Sequence, residues 1–340
     1  MIRFALALCA LLVLVPVAEA ASFDCAKAAT SFEKTICSTP EASAADDTLA
    51  VAYATALGGL SQPAASLVKS TQHAWLDYAA RVCSDNGNPI AGTYTDEQTQ
   101  CLIGAFRERT TALEASRMQG GFRFYPAEQY LVEPDTDPDS NGFNKVATKH
   151  FSTVKIDSSD DLGTVFNAMI EDLRASNADI FVKGTDQLAA GDSTEDIDVT
   201  TTVQKVTAYR ITLSTTNYSY GHGAAHGNYG ISTAHFLIAE KRPLLASDIF
   251  AKKGWEKVLG KLLVGRTKAQ LGDSYFNDSE ADIPTWAADP GRWDFSQDGL
   301  VIQFQPYEVA AYAAGAVTVT IPWDDLRDLL AENGEAIATY

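Results

Sequence analysis

Cysteine is the residue whose type and position indicate most about the chemistry of this chain. Cys25, Cys37, Cys83 and Cys101 lie in the first third of the sequence, and Cys9 lies in the apolar N-terminal segment. A reactive thiol needs an activating neighbour, and the sequence contains no Cys-x-x-Cys spacing. An even set of four cysteines behind an export signal therefore predicts two disulfides and an oxidising compartment.

His222 and His226 are a second pair whose spacing could do chemistry. Two histidines four residues apart can share one face of a helix and bind zinc. Gly221, Gly223 and Gly227 oppose a helix here, because each glycine costs about 1 kcal/mol in a helix interior. We therefore predict no metal site. We expect a glycine-rich turn between strands, in which His226 forms hydrogen bonds with backbone groups.

Signatures of catalysis are missing from the sequence. It has no Gly-x-Ser-x-Gly elbow, no phosphate-binding loop and no dinucleotide fingerprint. Carboxylates are abundant, so the sequence neither locates nor excludes an acid/base pair. We expect a protein without catalytic residues and without a cofactor.

The first 20 residues have the pattern of a cleavable export signal. Arg3 gives a positive start, residues 4–17 are apolar, and Ala18-Glu19-Ala20 supplies a small-x-small cleavage pattern. We predict cleavage near Ala20 and a periplasmic or secreted location. No later segment has an uncharged apolar run of about 18 residues, so we do not expect the chain to be embedded in a membrane.

The chain is strongly acidic. It contains 44 Asp and Glu against 26 Lys and Arg, a formal net charge of −18. Such a surface repels nucleic acid and anionic lipid, which excludes nucleic acid as a partner. It attracts basic partners and accelerates their encounter, although acidity also simply confers solubility.

Residues 21–118 are predicted to form a small domain of three helices. The first has Pro40 at its first position and ends at residues 58–59, which are both glycine. The second begins near Pro63, and the third opens with a capping box of Thr95 and Gln98. Such a domain has a thin core, and disulfides worth about 2–4 kcal/mol each would offset that weakness.

Several short motifs follow one another along this domain. They are Phe23-Asp24-Cys25, Glu33 with Ile36-Cys37, Asp46 with Leu49 and Tyr53, Gln72-x-Ala74-Trp75-Leu76, and Cys101-Leu102 with Arg109 and Leu113. In this order they resemble the N-terminal domain of LprI-type lysozyme inhibitors over nearly its whole length. The chain departs from the family at Ala79-Ala80, where an Arg-Asp pair is usual.

Within this domain we favour the pairing Cys25–Cys37 and Cys83–Cys101, because these disulfides close short local loops. The sequence alone allows three pairings. Trp75 lies on a helical face and is predicted to pack in the core rather than to bind a ligand.

Residues 144–340 are predicted to form an α+β domain, joined to the first by a linker over 119–143 that includes an acidic loop at 134–142. Strand patterns lie at 148–156, 196–213, 230–238, 300–305 and 316–321, and helical patterns at 159–176, 251–271 and 323–332. Their irregular order favours a mixed or antiparallel sheet with flanking helices over a parallel doubly wound sheet. The whole chain is thus expected to have two domains and the α+β fold class.

A second set of motifs lies in this domain. They are Tyr218-x-Tyr220-Gly221-His222-Gly223-Ala224-Ala225-His226-Gly227-Asn228, Leu244-Leu245 with Asp248-Ile249-Phe250, Phe295 with Asp298-Gly299-Leu300, Pro306-Tyr307-Glu308-Val309, and Ile321-Pro322-Trp323. They resemble the extracellular domain of the lysozyme-sensing anti-sigma factor RsiV, which also occurs in the non-catalytic part of the deacetylase PdaC. The histidine segment has one more alanine than the family pattern.

Both resemblances imply the same partner, lysozyme or another cationic cell-wall hydrolase, which the protein would bind and inhibit or sequester. A peptidoglycan-associated sensor or accessory module and an envelope enzyme acting on wall fragments are the alternatives. The sequence leaves the oligomeric state open. We predict a partner-contact surface formed by Tyr218, Tyr220, His222, His226, Asn228, Tyr229, Tyr307 and Glu308.

Overall fold

The computed structural model describes residues 21–135, 144–178 and 194–339. The predicted export signal and most of the predicted acidic loop lie outside the described residues. Within those ranges, none of the helices has the length and apolar character needed to cross a membrane.

The N-terminal region is helical and carries two disulfides, as predicted. Cys25 pairs with Cys37 and Cys83 with Cys101, with Cα–Cα distances of 5.7 and 5.8 Å. Trp75 is 1% exposed in the core, with its ring edge against Phe106 at 5.3 Å between centroids. Its helices are α1 (Ser31–Ser38), α2 (Pro40–Leu57), α3 (Gln62–Val82) and α4 (Asp96–Leu113).

The structure has one helix more in this region than the three that we predicted. Helix α1 is only two turns long, so its apolar periodicity is too short to stand out. The start of this helix is nevertheless specified by nearby residues, because Thr30 and Glu33 form a capping box. The predicted capping box of Thr95 and Gln98 at the start of α4 is confirmed.

Part of the predicted linker is instead a long strand. After the two-residue strand β1 (Met118–Gln119), β2 (Phe122–Pro134) pairs antiparallel with β3 (Val146–Ile156) from Phe124 to its end. Phe124 of β2 packs in the core of the sheet, and Tyr125 packs in the core of the helical region. The two halves of the chain therefore share this strand.

The remainder is an α+β fold with a mixed sheet, as predicted. Over the described residues, the main sheet has seven strands in sequential order, and every pair is antiparallel except β3 with β4. A second, three-stranded antiparallel sheet has the order β10-β9-β8. The other strands are β4 (Glu195–Val206), β5 (Arg210–Gly221), β6 (Asn228–Leu237), β7 (Arg242–Pro243), β8 (Trp293–Phe295), β9 (Gly299–Gln303) and β10 (Thr318–Pro322).

Helices cover both sheets. Helix α5 packs Phe166 and Ile170 on the main sheet, and α7 packs Leu259 and Leu263 in a second core with the small sheet. The predicted helix over 323–332 is shorter in the structure, because α-helix gives way to a 3₁₀ turn after Leu326. The remaining helices are α5 (Asp161–Ser176), α6 (Ala246–Ile249), α7 (Trp255–Leu271), α8 (Ile283–Ala287), α9 (Trp323–Leu326) and α10 (Gly334–Thr339).

Candidate functional site

The hairpin of β5 and β6 positions most of the predicted contact residues. Its turn is glycine-rich, as predicted, and Gly223 has a φ of +86°. His226 Nδ1 lies 2.8 Å from the Gly227 carbonyl oxygen, so this histidine does hydrogen-bond the backbone. A Cβ atom at Gly227 would lie 2.3 Å from the Tyr218 hydroxyl oxygen, so only glycine lets that ring lie across the turn.

His222 is buried, whereas residues 223–226, which follow it in the hairpin turn, are exposed. It is 4% exposed, with Nδ1 2.9 Å from Asp135 Oδ2 and Nε2 3.2 Å from Asp196 Oδ2. The side chain therefore ties the hairpin to the end of β2 and the start of β4 instead of facing a partner. Among the described residues, no three His, Cys, Asp or Glu side chains are grouped to hold a metal ion.

Five aromatic side chains form a patch at this end of the molecule, which we call the tyrosine face: Tyr218, His226, Tyr229, Tyr307 and Tyr312. The ring of His226 stacks on Tyr312 at 4.2 Å, and the rings of Tyr307 and Tyr229 lie 5.3 and 6.2 Å from Tyr312. Tyr218 and Tyr307 are 41% and 52% exposed. Exposed, mutually supported tyrosines are typical of protein-binding surfaces.

Hydrogen bonds hold the tyrosine face in place. The Tyr312 hydroxyl donates to the Gly227 carbonyl at 2.7 Å, and the Ala316 N–H donates to the Tyr229 hydroxyl at 2.9 Å. Loss of water around the Tyr312 hydroxyl, reinforced by neighbouring tyrosines, raises its pKa. The patch is therefore rigid, and the Tyr312 hydroxyl within it stays neutral at neutral pH.

Tyr307 has an unusual backbone conformation. Its φ is +69°, a left-handed value that bulky residues adopt only under strain. It occupies the third position of a turn that has Pro306 at its second position and is closed by the Glu308 N–H, which donates to the Gln305 carbonyl at 3.2 Å. Glycine is the usual residue at that position of a type II turn. A strained, exposed aromatic residue is a marker of function.

Glu308 stabilises this turn. Its carboxylate accepts two hydrogen bonds from Arg292, at 2.7 and 2.9 Å, and one from the Gln305 N–H at 2.7 Å. The side chain is 17% exposed. Glu308 thus holds Tyr307 in place, and its own carboxylate is already occupied.

Tyr220 and Asn228 complete the predicted set. The Tyr220 hydroxyl donates to the Ala224 carbonyl at 3.3 Å across the hairpin turn, and the Asn228 side chain accepts from the Tyr229 N–H at 3.0 Å. Asn228 is exposed and Tyr220 half-buried. Both lie on the hairpin beside the tyrosine face.

A cavity that the sequence did not reveal adjoins the tyrosine face through Tyr218. It has a volume of about 270 Å³ and lies between helices α3 and α4 and strands β2 to β5. Its aromatic lining consists of Trp75, Tyr78, Tyr130 and Tyr218, and its charged lining consists of Glu108, Arg109, Glu128, His150, Asp196 and Asp198.

A chain of charged groups runs along this cavity. Arg109 forms a fully buried ion pair with Glu128, and its Nε donates to Gln72 at 2.9 Å. His150 bridges Glu128, at 3.3 Å, and Asp198, at 2.7 Å. The helical region supplies Arg109 and the sheet supplies the other three, so the network joins the two halves.

Burial and charge change the pKa values of groups in this cavity. Neighbouring groups packed around the Glu108 carboxylate remove part of its water and raise its pKa, although the residue as a whole is exposed, and His150 opposes the shift. Burial also acts to raise the pKa of Asp198, but the hydrogen bond and charge of His150 outweigh it and lower that pKa. Burial raises the pKa of Tyr78 and of Tyr130 well above the usual value. Both tyrosines are therefore neutral hydroxyls at physiological pH.

Two segments of the chain match models of known protein families. Residues 25–113 match the family model described as "Lysozyme inhibitor LprI". Residues 247–324 match the model described as "Protein of unknown function (DUF3298)", which is the RsiV/PdaC-type domain. The chain thus joins an LprI-type region to a DUF3298-type region, and both resemblances seen in the sequence are confirmed.

Solved structures of DUF3298 proteins are similar to the chain at low identity. A family member from Bacteroides fragilis NCTC 9343 has 16% identity and a TM-score of 0.47, covering 65% of this chain and 98% of its own. One from Pseudomonas aeruginosa PAO1 has 14% identity and a TM-score of 0.43, covering 64% and 97%. No curated protein matches the chain.

The two family matches bear on catalysis and on export. An inhibitor domain joined to a domain of unknown function is compatible with a protein that catalyses no reaction. The two disulfides and the LprI-type region fit an exported protein.

Proposed function

We propose that this protein is an exported binder of lysozyme, or of a related basic cell-wall hydrolase, and that it inhibits the enzyme without catalysing a reaction. The match of residues 25–113 to the lysozyme inhibitor family carries the proposal. An acidic chain with a net charge of −18 supports it, because opposite charge accelerates association with a cationic enzyme.

Within this proposal, the tyrosine face is the contact surface. Tyrosine is among the residues that carry most binding energy at protein interfaces, since its ring buries a large area at little cost in side-chain entropy. Tyr218 and Tyr307 are exposed and backed by a rigid patch, so little ordering is needed on association. A surface of this kind, seated in the cleft of a hydrolase, would exclude its substrate.

Direct measurement of binding and inhibition tests the proposed function. The mature, oxidised chain is titrated with a c-type lysozyme by calorimetry at low and high salt, and muramidase activity is measured in parallel. We expect saturable binding, weaker at high salt, together with loss of activity. Absence of binding to any lysozyme would remove the proposal, and turnover of purified wall fragments by the protein alone would replace it with an enzymatic function.

A matched pair of variants tests the contact surface. Tyr218 and Tyr209 are both 41% exposed, but Tyr209 lies outside the tyrosine face, in the turn between β4 and β5. We expect Tyr218→Ala to weaken lysozyme binding at least about tenfold, in line with an interface anchor, and Tyr209→Ala to leave it unchanged. Equal effects of the two substitutions would show that the tyrosine face is not the contact.

A further inference from the structure

The cavity between the helical region and the main sheet has a polarity that changes from one end to the other. Its buried end contains Trp75 and Arg109, both 1% exposed, and Glu128. Its outer end contains Glu108, which is exposed, and Asp198, whose side chain is 45% exposed. A ligand entering from solvent therefore passes the carboxylates before it reaches the guanidinium.

The charges that line the cavity favour a cation. Four carboxylates face one guanidinium and one imidazole. With these carboxylates ionised, the net charge of the lining is −2 when His150 is protonated and −3 when it is neutral. Arg109 and Glu128 already neutralise each other, so the uncompensated charge lies at the outer end. An anionic ligand is excluded, and an ammonium group is attracted.

An independent observation at the buried end indicates an oxygen acceptor. Arg109 Nη2 is buried and has no hydrogen-bond partner among the described residues, although Nε and Nη1 both have one. Buried donors are nearly always satisfied, because an unmade hydrogen bond is costly. A neutral hydroxyl or ether oxygen would satisfy this donor without adding a negative charge to the carboxylates nearby.

Size and the aromatic lining narrow the ligand class. The volume of about 270 Å³ lies just below the range of about 300–1,000 Å³ that drug-sized ligands fill. It equals about nine waters at about 30 Å³ each. The neutral tyrosines offer hydroxyls for hydrogen bonds and rings that attract cations. These properties suit a single sugar ring better than a peptide or an oligosaccharide.

We propose that this cavity binds an amino sugar of monosaccharide size. The ammonium group lies among the carboxylates of Glu108, Asp196 and Asp198, and a ring hydroxyl or ether oxygen accepts from Arg109 Nη2. The inference does not depend on the proposed lysozyme contact, because it concerns a small molecule and a cavity that shares only Tyr218 with the tyrosine face. It assigns a ligand to the boundary between the two halves of the chain.

Three probes of graded chemistry test the ligand class on the mature, oxidised chain. D-Glucosamine has both the ammonium group and the oxygens, D-glucose lacks the ammonium, and n-hexylamine lacks the oxygens. Binding is followed by NMR at the Trp75 indole and His150 ring signals. We expect glucosamine to shift both signals saturably and to bind about tenfold more tightly than either other probe. Absence of a saturable shift, or equal affinity for the three, overturns the proposal.

Variants locate the ligand. Glu108→Gln and Asp198→Asn keep the size and shape of the side chain but remove its charge, and each is expected to weaken glucosamine binding about tenfold, as for a charge-assisted hydrogen bond. Glu332→Gln removes an exposed carboxylate far along the chain and is the control, with unchanged affinity. Unchanged affinity in both cavity variants overturns the assignment. Glucosamine binding by a protein that ignores lysozyme would retain this inference and remove the proposed function.

Discussion

Because the backbone of Tyr307 is strained, two substitutions can separate the contribution of its aromatic ring from that of its backbone conformation. Replacing it with glycine or with alanine removes the same ring, including its contact with Tyr312 at 5.3 Å, which is worth about 0.5–1.5 kcal/mol. Only glycine adopts the φ of +69° without penalty. A left-handed conformation costs other residues about 1–2 kcal/mol, and glycine loses about 0.5–1 kcal/mol more in chain entropy on folding.

The alanine variant keeps the cost of the left-handed conformation, whereas the glycine variant has the larger loss of chain entropy. The difference between these two costs predicts that the Tyr307→Gly variant is more stable than Tyr307→Ala by about 0.5–1 kcal/mol. Urea unfolding of the two variants, compared at equal m-values, measures this difference. Lysozyme affinity should fall equally in both, by about 30-fold or more if Tyr307 is an anchor worth about 2 kcal/mol.

Two results would refute this reasoning in different ways. An alanine variant as stable as the glycine variant would show that the turn relaxes and that Tyr307 is not strained. Wild-type affinity in either variant would show that the ring does not contact the partner. Affinity that follows stability across the two variants would mean that the turn, and not the ring, matters for binding.

Three further predictions concern stability and are checked by chemical unfolding. Glu128→Gln should destabilise the protein by about 3–5 kcal/mol, since it leaves Arg109 as a buried unpaired charge; a loss below about 1 kcal/mol would mean that the pair is solvated. Replacing Cys83 and Cys101 by serine should cost about 3 kcal/mol, because their disulfide closes a loop of 18 residues, and reduction of the wild type should cost at least as much. Burial lowers the pKa of His235 from 6.5 to about 4, so the unfolded chain binds a proton first as pH falls; about 3 kcal/mol of stability should be lost between pH 6.5 and 4. The His235→Gln variant should lack that part of the slope, and an identical slope would contradict the assignment.

The sequence predicts best what is encoded locally. The capping box of Thr95 and Gln98, the start at Pro40 and the glycine turn around His226 are each specified by a few adjacent residues, and each has the predicted structure. The two disulfides close short loops, which is why proximity along the chain was enough to favour the right pairing.

The predictions fail where a residue far away in the sequence determines the local structure. Glu128 interrupts an apolar pattern in β2, so the sequence of residues 122–134 resembles a linker. The structure explains this carboxylate, because it pairs with Arg109, 19 residues earlier in the chain. The turn between β4 and β5 lacks the usual glycine or proline. The Thr207 hydroxyl closes it by accepting from the N–H groups of Tyr209 and Arg210, and the two strands were therefore predicted as one.

The site shows the same division between local and distant information. Tyrosines spaced along one hairpin indicate a contact surface, and the structure adds Tyr312 as the ring on which the others rest. The acidic cavity draws its lining from two helices and four strands, so no single segment of the sequence contains its signal. The local hints were single motif residues: Trp75 and Arg109 in the LprI-type pattern and Tyr218 in the histidine segment.

Strand β2 has a consequence for how the molecule can be divided. A fragment that stops after α4 would lose the carboxylate that compensates the guanidinium of Arg109, together with the rings of Tyr125 and Tyr130 that cover the apolar side of the helices. The complementary fragment, which contains the sheet, would have either an unpaired strand at the edge of the sheet or a hydrophobic face that the helices no longer cover. The two family segments are separate in the sequence, but we expect heat or denaturant to unfold them in one cooperative step. Truncation at their border should yield insoluble fragments.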